Sequence, residues 1–173
     1  YKVDPEKKPW ACTGWKPGDD PKKRGIINSI YIDTETLAVH NDELQAMYKQ
    51  VTANEQMWEE YNCENAEYII TAFGTVARIA KSAINELKEK GIHVGLVRPI
   101  TVWPFPYDAV AKAVNQPSVK AVLDVELNEG QMLEDVKLAV CGTKPIDFTG
   151  HCGSQMPTTD EIVEKILSMK EGK

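Results

Sequence analysis

The sequence predicts an α/β protein, in which helices cover both faces of a mainly parallel sheet to form a three-layer, doubly wound domain. Four short apolar runs alternate with helical patterns, and such alternation requires crossover connections that place successive strands parallel. Because the runs are almost continuously apolar, we expect both faces of the sheet to be buried. The predicted strands are 67–73, 92–97, 119–126 and 144–149.

Local signals mark the helices between these strands. Gly74 and Thr75 turn the chain into the first helix, and a lysine-rich stretch ending at Gly91 stops it. Pro157 and Thr158 begin the last helix, where Thr158 and Glu161 have the spacing of a capping box. Two shorter helices are predicted at 106–114 and 130–140.

Ahead of this repeat, the chain is predicted to form an arm and one long helix. Residues 1–33 are rich in proline and glycine, which favour turns and extended segments. Residues 34–62 carry apolar side chains at helical spacing, with Asp33 or Thr34 as the N-cap. This amphipathic helix must pack on the domain's own sheet layer or on another chain, and the pattern leaves both open. The α/β domain is then predicted to occupy 63–173.

Composition and charge exclude several classes of function. The formal net charge of −6 is carried by acidic side chains spread along the helices, so the chain lacks the basic surface that a nucleic acid requires. No stretch reaches the roughly 18 apolar residues of a membrane helix, and the first residues do not resemble a signal peptide. We therefore expect a cytoplasmic protein that binds neither nucleic acid nor membrane.

The four cysteines do not suggest a cluster or a disulfide framework, because no CxxC pair is present. We expect reduced and mostly buried thiols. Cys152 follows His151, but two adjacent ligands without a second pair do not make a zinc site. No metal site is therefore predicted. The cysteines are Cys12, Cys63, Cys141 and Cys152.

If the domain binds a ligand, the expected place is the crevice at the carboxyl ends of the strands. With the predicted strands in the order 2-1-3-4, strand order reverses between the turns after the first and third strands. The first turn lacks the GxGxxG spacing of a pyrophosphate site, although a helix N-terminus offers free amides there. The crevice candidates are Gly74, Thr75, Asn128 and Gly130.

Two carboxylates, Asp124 and Glu126, face one side of the third predicted strand near its carboxyl end. They could act as a paired acid and base. Alternatively, they could accept hydrogen bonds from helix-terminal amides or pair with Arg98 across the end of the sheet. The three histidines have no visible nucleophile to activate, so no catalytic residue is predicted.

Three segments carry a resemblance to a known family: EYIITAFGTVARIAKSAINEL (67–87), VGLVRPITVWPFP (94–106) and AVLDVELNEGQMLEDVKLAVCG (121–142). Together they resemble the second domain of the alpha subunits of 2-oxoacid:ferredoxin oxidoreductases, most of all the 2-ketoisovalerate (3-methyl-2-oxobutanoate) type. Residues 24–44 and 150–162 are similar to the same subunit.

The resemblance implies a fold like the carboxy-terminal domain of transketolase and an assembly role in an enzyme that makes acyl-CoA, CO₂ and reduced ferredoxin from a 2-oxoacid, CoA and oxidised ferredoxin. Thiamine diphosphate, magnesium and iron–sulfur clusters are expected on other domains or subunits, with none in this fragment. The implied partners are beta, gamma and delta subunits and a second alpha subunit. The fragment is not expected to be active alone. The alternative that the residues leave open is a free-standing small-molecule or nucleotide-binding module that uses the crevice.

Overall fold

The computed structural model describes residues 16–20 and 29–172. The chain divides into two compact units, Tyr1–Gln45 and Ala46–Lys173, and the helix α1 (Thr34–Asn54) contributes to both. In the first unit, Asp33 caps α1, because its Oδ2 accepts from the Thr36 amide at 2.7 Å. Most of the predicted arm, including Cys12, lies outside the described residues.

The second unit is built on a five-stranded sheet with the strand order β1-β3-β2-β4-β5. Strands β2 to β5 run parallel in the predicted 2-1-3-4 order, and β1 is antiparallel to β3. The mainly parallel, doubly wound fold is thus confirmed. The strands are β1 (Trp58–Tyr61), β2 (Tyr68–Thr71), β3 (Val94–Pro99), β4 (Ala121–Glu126) and β5 (Ile146–Gly150).

Helices cover both faces of this sheet and complete the three layers. Helices α2 (Gly74–Glu89) and α5 (Thr159–Glu171) lie together on one face, whereas α3 (Tyr107–Val114) and α4 (Gln131–Val140) lie on the other. The predicted capping box of α5 is confirmed, since Thr158 and Glu161 exchange side-chain and backbone hydrogen bonds.

Each face of the sheet has its own core, because neighbouring residues along a strand point to opposite faces. Ile70 and Leu123 face α2 and α5, and Ile69 and Val122 face α3 and α4. All four are fully buried. Burial of such a side chain stabilises the fold by about 1.5–3 kcal/mol before the loss of chain entropy is counted. The two central strands are therefore held firmly, and so are the residues at their carboxyl ends.

The prediction of one helix over 34–62 is wrong in its last eight residues. Helix α1 ends at Asn54, whose side-chain amide donates to the Gln50 carbonyl at 2.8 Å, and the chain then forms β1. In this strand, the Glu59 carboxylate binds Lys81 at 2.5 Å and Arg98 at 3.1 Å. Pairing with β3 and these two ion pairs stabilise the strand over a continued helix.

The expectation of mostly buried thiols is also wrong for the described cysteines. Cys141 and Cys152 are exposed, because they lie in the turns that follow α4 and β5. Cys63 is buried beside β3, and burial raises the pKa of its thiol to about 11. That thiol is therefore protonated and unreactive at neutral pH.

Strand β5 forms one edge of the sheet, and all five of its residues are half-buried. Asp147 accepts a hydrogen bond from the Phe148 amide at 2.8 Å. The other oxygen of the same carboxylate binds Lys165 of α5 at 2.9 Å. The Asp147 carboxylate is therefore fixed beside the outermost strand.

Candidate functional site at the carboxyl edge of the sheet

Glu126, the last residue of β4, is fully buried and binds the start of α4. Its carboxylate oxygens accept hydrogen bonds from the amides of Met132 and Leu133 and from the side chain of Asn128, each at 2.9 Å. The N-cap residue of α4 is Gly130, which has no side chain to satisfy these amides. The prediction that a carboxylate of this strand accepts from helix-terminal amides is therefore confirmed for Glu126.

Asp124 is also fully buried, and its environment keeps it neutral. The Thr71 hydroxyl donates to its Oδ1 at 2.5 Å, while its Oδ2 has no hydrogen-bond partner among the described residues. Burial raises the pKa of Asp124 to about 8, and the nearby Glu126 carboxylate acts in the same direction. Because both carboxylates are closed to solvent, they do not form an acid–base pair that a substrate could reach.

The predicted pairing of Arg98 with these carboxylates is wrong. Arg98 Nη1 donates to Glu59 Oε2 on β1 at 3.1 Å, on the far side of β3 from β2 and β4. The reason is the antiparallel register, which places Glu59 opposite Arg98. Glu59 could not be predicted as the partner of Arg98, because the sequence did not indicate the edge strand β1.

The crevice candidates Asn128 and Gly130 belong to the same hydrogen-bonded turn. Asn128 Oδ1 accepts from the amides of Gly130 and Gln131, both at 2.8 Å. Together with Glu126, it engages every backbone amide from 130 to 133. A diphosphate does not fit this helix N-terminus, because the amides that would bind it already donate to side chains of the chain itself.

The other two candidates, Gly74 and Thr75, are the first residues of α2. This helix follows β2, the strand that pairs with β4. Both are exposed, and Gly74 has a φ of +58°, a conformation that glycine adopts without strain. The preceding Phe73 provides no side-chain cap. The structure thus places all four candidates at the carboxyl edge, two within a closed turn and two in an open one.

Phe148 closes the β5 side of this edge. Its ring packs over Gly150 and approaches Gly130, at which an added β-carbon would lie 3.5 Å from Phe148 Cζ. At Gly150 an added β-carbon would overlap both this ring and the backbone oxygen of Asn128. Two glycines therefore provide the space that the aromatic ring fills.

Replacing Gly150 by alanine is expected to lower the free energy of unfolding by about 2 kcal/mol, because the Asn128 carbonyl cannot move without breaking the turn before α4. Urea denaturation of the variant measures this loss. Thr149→Ala, one residue earlier on β5, is the matched control and should change stability much less. Equal stability of Gly150→Ala and the natural chain would contradict this packing.

Large apolar side chains remain exposed at the β3 end of the same edge. The Met57 carbonyl accepts from the amides of Ile100 and Thr101, which brings the start of β1 against the loop after β3. The Tyr48 and Trp103 rings meet edge to face at 5.5 Å between centroids. We call this surface the aromatic edge. It consists of Tyr48, Met57, Trp58, Ile100, Val102 and Trp103, all exposed by more than a third.

In the sequence analysis, the loop within this surface appears only as part of the segment 94–106 that carries the family resemblance. The run ITVWPFP (100–106) was a usable signal, because several large apolar side chains in a loop indicate a contact surface. Phe105 is buried in the core, and the rest of the run divides between core and surface. Only the structure shows which side chains stay exposed.

The described part of the chain was searched for metal sites and for helices that could cross a membrane. Within it, no three histidine, cysteine, aspartate or glutamate residues lie where they could hold a metal ion. None of the helices formed by the described residues has the length and apolar character needed to cross a membrane.

Comparison with known proteins gives consistent matches. The profile of pyruvate:ferredoxin oxidoreductase core domain II matches residues 66–162, more than half of the chain. Ketoisovalerate oxidoreductase subunit VorB of Methanothermobacter marburgensis is 34% identical over 91% of this chain, and that of Methanothermobacter thermautotrophicus is 32% identical over the same share. A solved 2-oxoglutarate:ferredoxin oxidoreductase from Magnetococcus marinus shares the fold, with a TM-score of 0.67 at 20% identity, over 88% of this chain and 27% of that chain.

These matches cover only part of the relatives. The aligned region is 43% of each VorB subunit, so the chain spans less than half the length of these relatives. The profile match begins just before β2 and ends in α5, which is the doubly wound part of the structure. The chain therefore belongs to the family of pyruvate:ferredoxin oxidoreductase core domain II.

Proposed function

We propose that this chain is the structural and assembly domain of a thiamine-diphosphate-dependent 2-oxoacid:ferredoxin oxidoreductase of the 2-ketoisovalerate type. The complex would convert a branched 2-oxoacid, CoA and oxidised ferredoxin into acyl-CoA, CO₂ and reduced ferredoxin in the cytoplasm. The similarity to two VorB subunits supports the substrate class. In this proposal, thiamine diphosphate, magnesium and iron–sulfur clusters lie on other domains or on beta, gamma and delta subunits.

One observation carries the assembly role. At the carboxyl edge, the polar groups of β4 and α4 bind one another, while the aromatic edge remains exposed. A catalytic edge needs accessible polar groups, whereas an assembly domain needs an apolar surface that packs on the rest of its own subunit or on other subunits. The distribution of polar and apolar side chains therefore favours assembly over chemistry in this domain.

The test is a co-expression assay of the full-length subunit with its beta and gamma partners. We expect CoA-dependent reduction of ferredoxin or a viologen dye, with 3-methyl-2-oxobutanoate turned over faster than pyruvate or 2-oxoglutarate. Omission of CoA is the control for unrelated dye reduction. An assembled complex that is loaded with thiamine diphosphate yet turns over no 2-oxoacid would refute the proposed reaction. A binding module that uses the open turn at Gly74 and Thr75 would then be the better explanation.

A further inference from the structure

The aromatic edge has the composition of a protein contact surface. Its six side chains are apolar or aromatic, and two of them are tryptophans, which are enriched at the energetic centres of interfaces. None of the six carries a charge. Large apolar side chains that are exposed close to one another mark surfaces that contact other parts of a protein. Another part of a protein must therefore cover it.

The course of the chain indicates which part that is. Tyr48 lies in α1 only two residues after the α/β unit begins at Ala46, and its ring contacts Trp103. Within the α/β unit, the chain therefore starts beside the aromatic edge. A segment on the same polypeptide is held near this surface at a high effective concentration, which a separate chain does not share.

The relatives show that much polypeptide is available for this contact. The part of each VorB subunit that aligns with this chain is 43% of its length, so more than half of each subunit lies outside the matched region. We infer that the aromatic edge is covered by the remainder of the same full-length polypeptide, rather than by a second copy or by a different subunit. This inference rests on the proposed function only in treating the chain as one domain of a longer subunit.

Two methionines provide a matched test within one protein. Met57 is 51% exposed and belongs to the aromatic edge, whereas Met156 is 47% exposed in the loop between β5 and α5, at the opposite end of the sheet. The full-length subunit is purified without partners, shown to be monomeric by light scattering and treated with hydrogen peroxide. Mass spectrometry then measures sulfoxide formation at each methionine. We expect Met57 to oxidise at least about tenfold more slowly than Met156, because covered thioethers are shielded from the oxidant.

A pair of substitutions tests whether the aromatic edge itself causes this protection. Val102 is 53% exposed in the aromatic edge, and Leu138 is 69% exposed on α4. In the full-length subunit, Val102→Asp should raise the oxidation rate of Met57 towards that of Met156, because a buried carboxylate would expel the covering segment. Leu138→Asp should leave the rate of Met57 unchanged.

Several results would overturn the inference. Equal oxidation of Met57 and Met156 in the monomeric subunit would show that the remainder of the polypeptide does not cover the surface. Protection that develops only as subunit concentration rises would identify a second copy, and protection that requires the beta or gamma subunit would identify a different chain. If Met57 remained protected from oxidation in Val102→Asp, a segment packed on the aromatic edge would not be the cause of the protection. Oxidation is measured without turnover, so these results are independent of whether the complex uses a 2-oxoacid.

Discussion

Replacing Glu126 by glutamine is expected to lower the free energy of unfolding by about 3 kcal/mol, the largest loss we expect from a single polar substitution in this domain. The Glu126 carboxylate accepts from two α4 amides and from Asn128. Glutamine keeps the size of the side chain but presents an NH₂ group to at least one of these donors. One buried amide then loses its acceptor, and the start of α4 loses its cap.

Urea denaturation measures this loss, and Glu134→Gln is the matched control. Glu134 lies on the same helix, but its side chain is exposed and forms an ion pair with Lys137 at the surface. The control should therefore change stability by less than about 1 kcal/mol. If the two variants were equally stable, the Glu126 carboxylate would not be the cap of α4.

Replacing Asp124 by asparagine is expected to stabilise the domain at neutral and higher pH. The ordinary pKa of 3.8 applies in the unfolded chain, whereas burial raises the pKa of Asp124 in the folded chain to about 8. Between these values the folded state binds the extra proton, so stability decreases as pH rises, by up to about 1.4 kcal/mol per pH unit from this group. The contribution is fully present below pH 4 and is lost as pH rises through 8. Asparagine does not titrate, and its oxygen still accepts from Thr71.

The measurement is the free energy of unfolding from pH 4 to pH 9 for the natural chain and for Asp124→Asn. The difference between them should grow with pH up to about pH 8 and then stay constant. Asp108→Asn, at an exposed aspartate in the first turn of α3, should follow the pH dependence of the natural chain. A difference that did not change with pH would show that Asp124 is ionised in the folded protein.

Much of the fold was predictable because each local signal agreed with the global arrangement. The apolar runs at Tyr68–Thr71 and Ala121–Glu126 match strands that are buried along their whole length. The capping box at Thr158 is read from two residues of fixed spacing. The role of Glu126 was also within reach, because an acidic residue that ends a buried strand lies next to the amides of the following helix.

The edge strand was not predictable, for a physical reason. Val51, Trp58 and Tyr61 fall on one helical stripe, and the sequence between them contains neither glycine nor proline to stop a helix. Trp58–Tyr61 is a strand because it pairs with β3 and because Glu59 forms ion pairs with Lys81 and Arg98. These contacts join residues far apart in sequence, so no local pattern contains them.

The outermost strand has a consequence for how the protein behaves at high concentration. A sheet edge with free amides can act as a template on which strands of other molecules add, and aggregation begins in this way. On β5, the Asp147 carboxylate accepts a hydrogen bond from the Phe148 amide, so this amide is not free to pair with another strand. The same carboxylate carries a charge beside the edge and forms an ion pair with Lys165. An incoming strand would have to displace this carboxylate and break its ion pair. The side chain of Asp147 thus protects the domain against strand addition while leaving the fold of β5 unchanged.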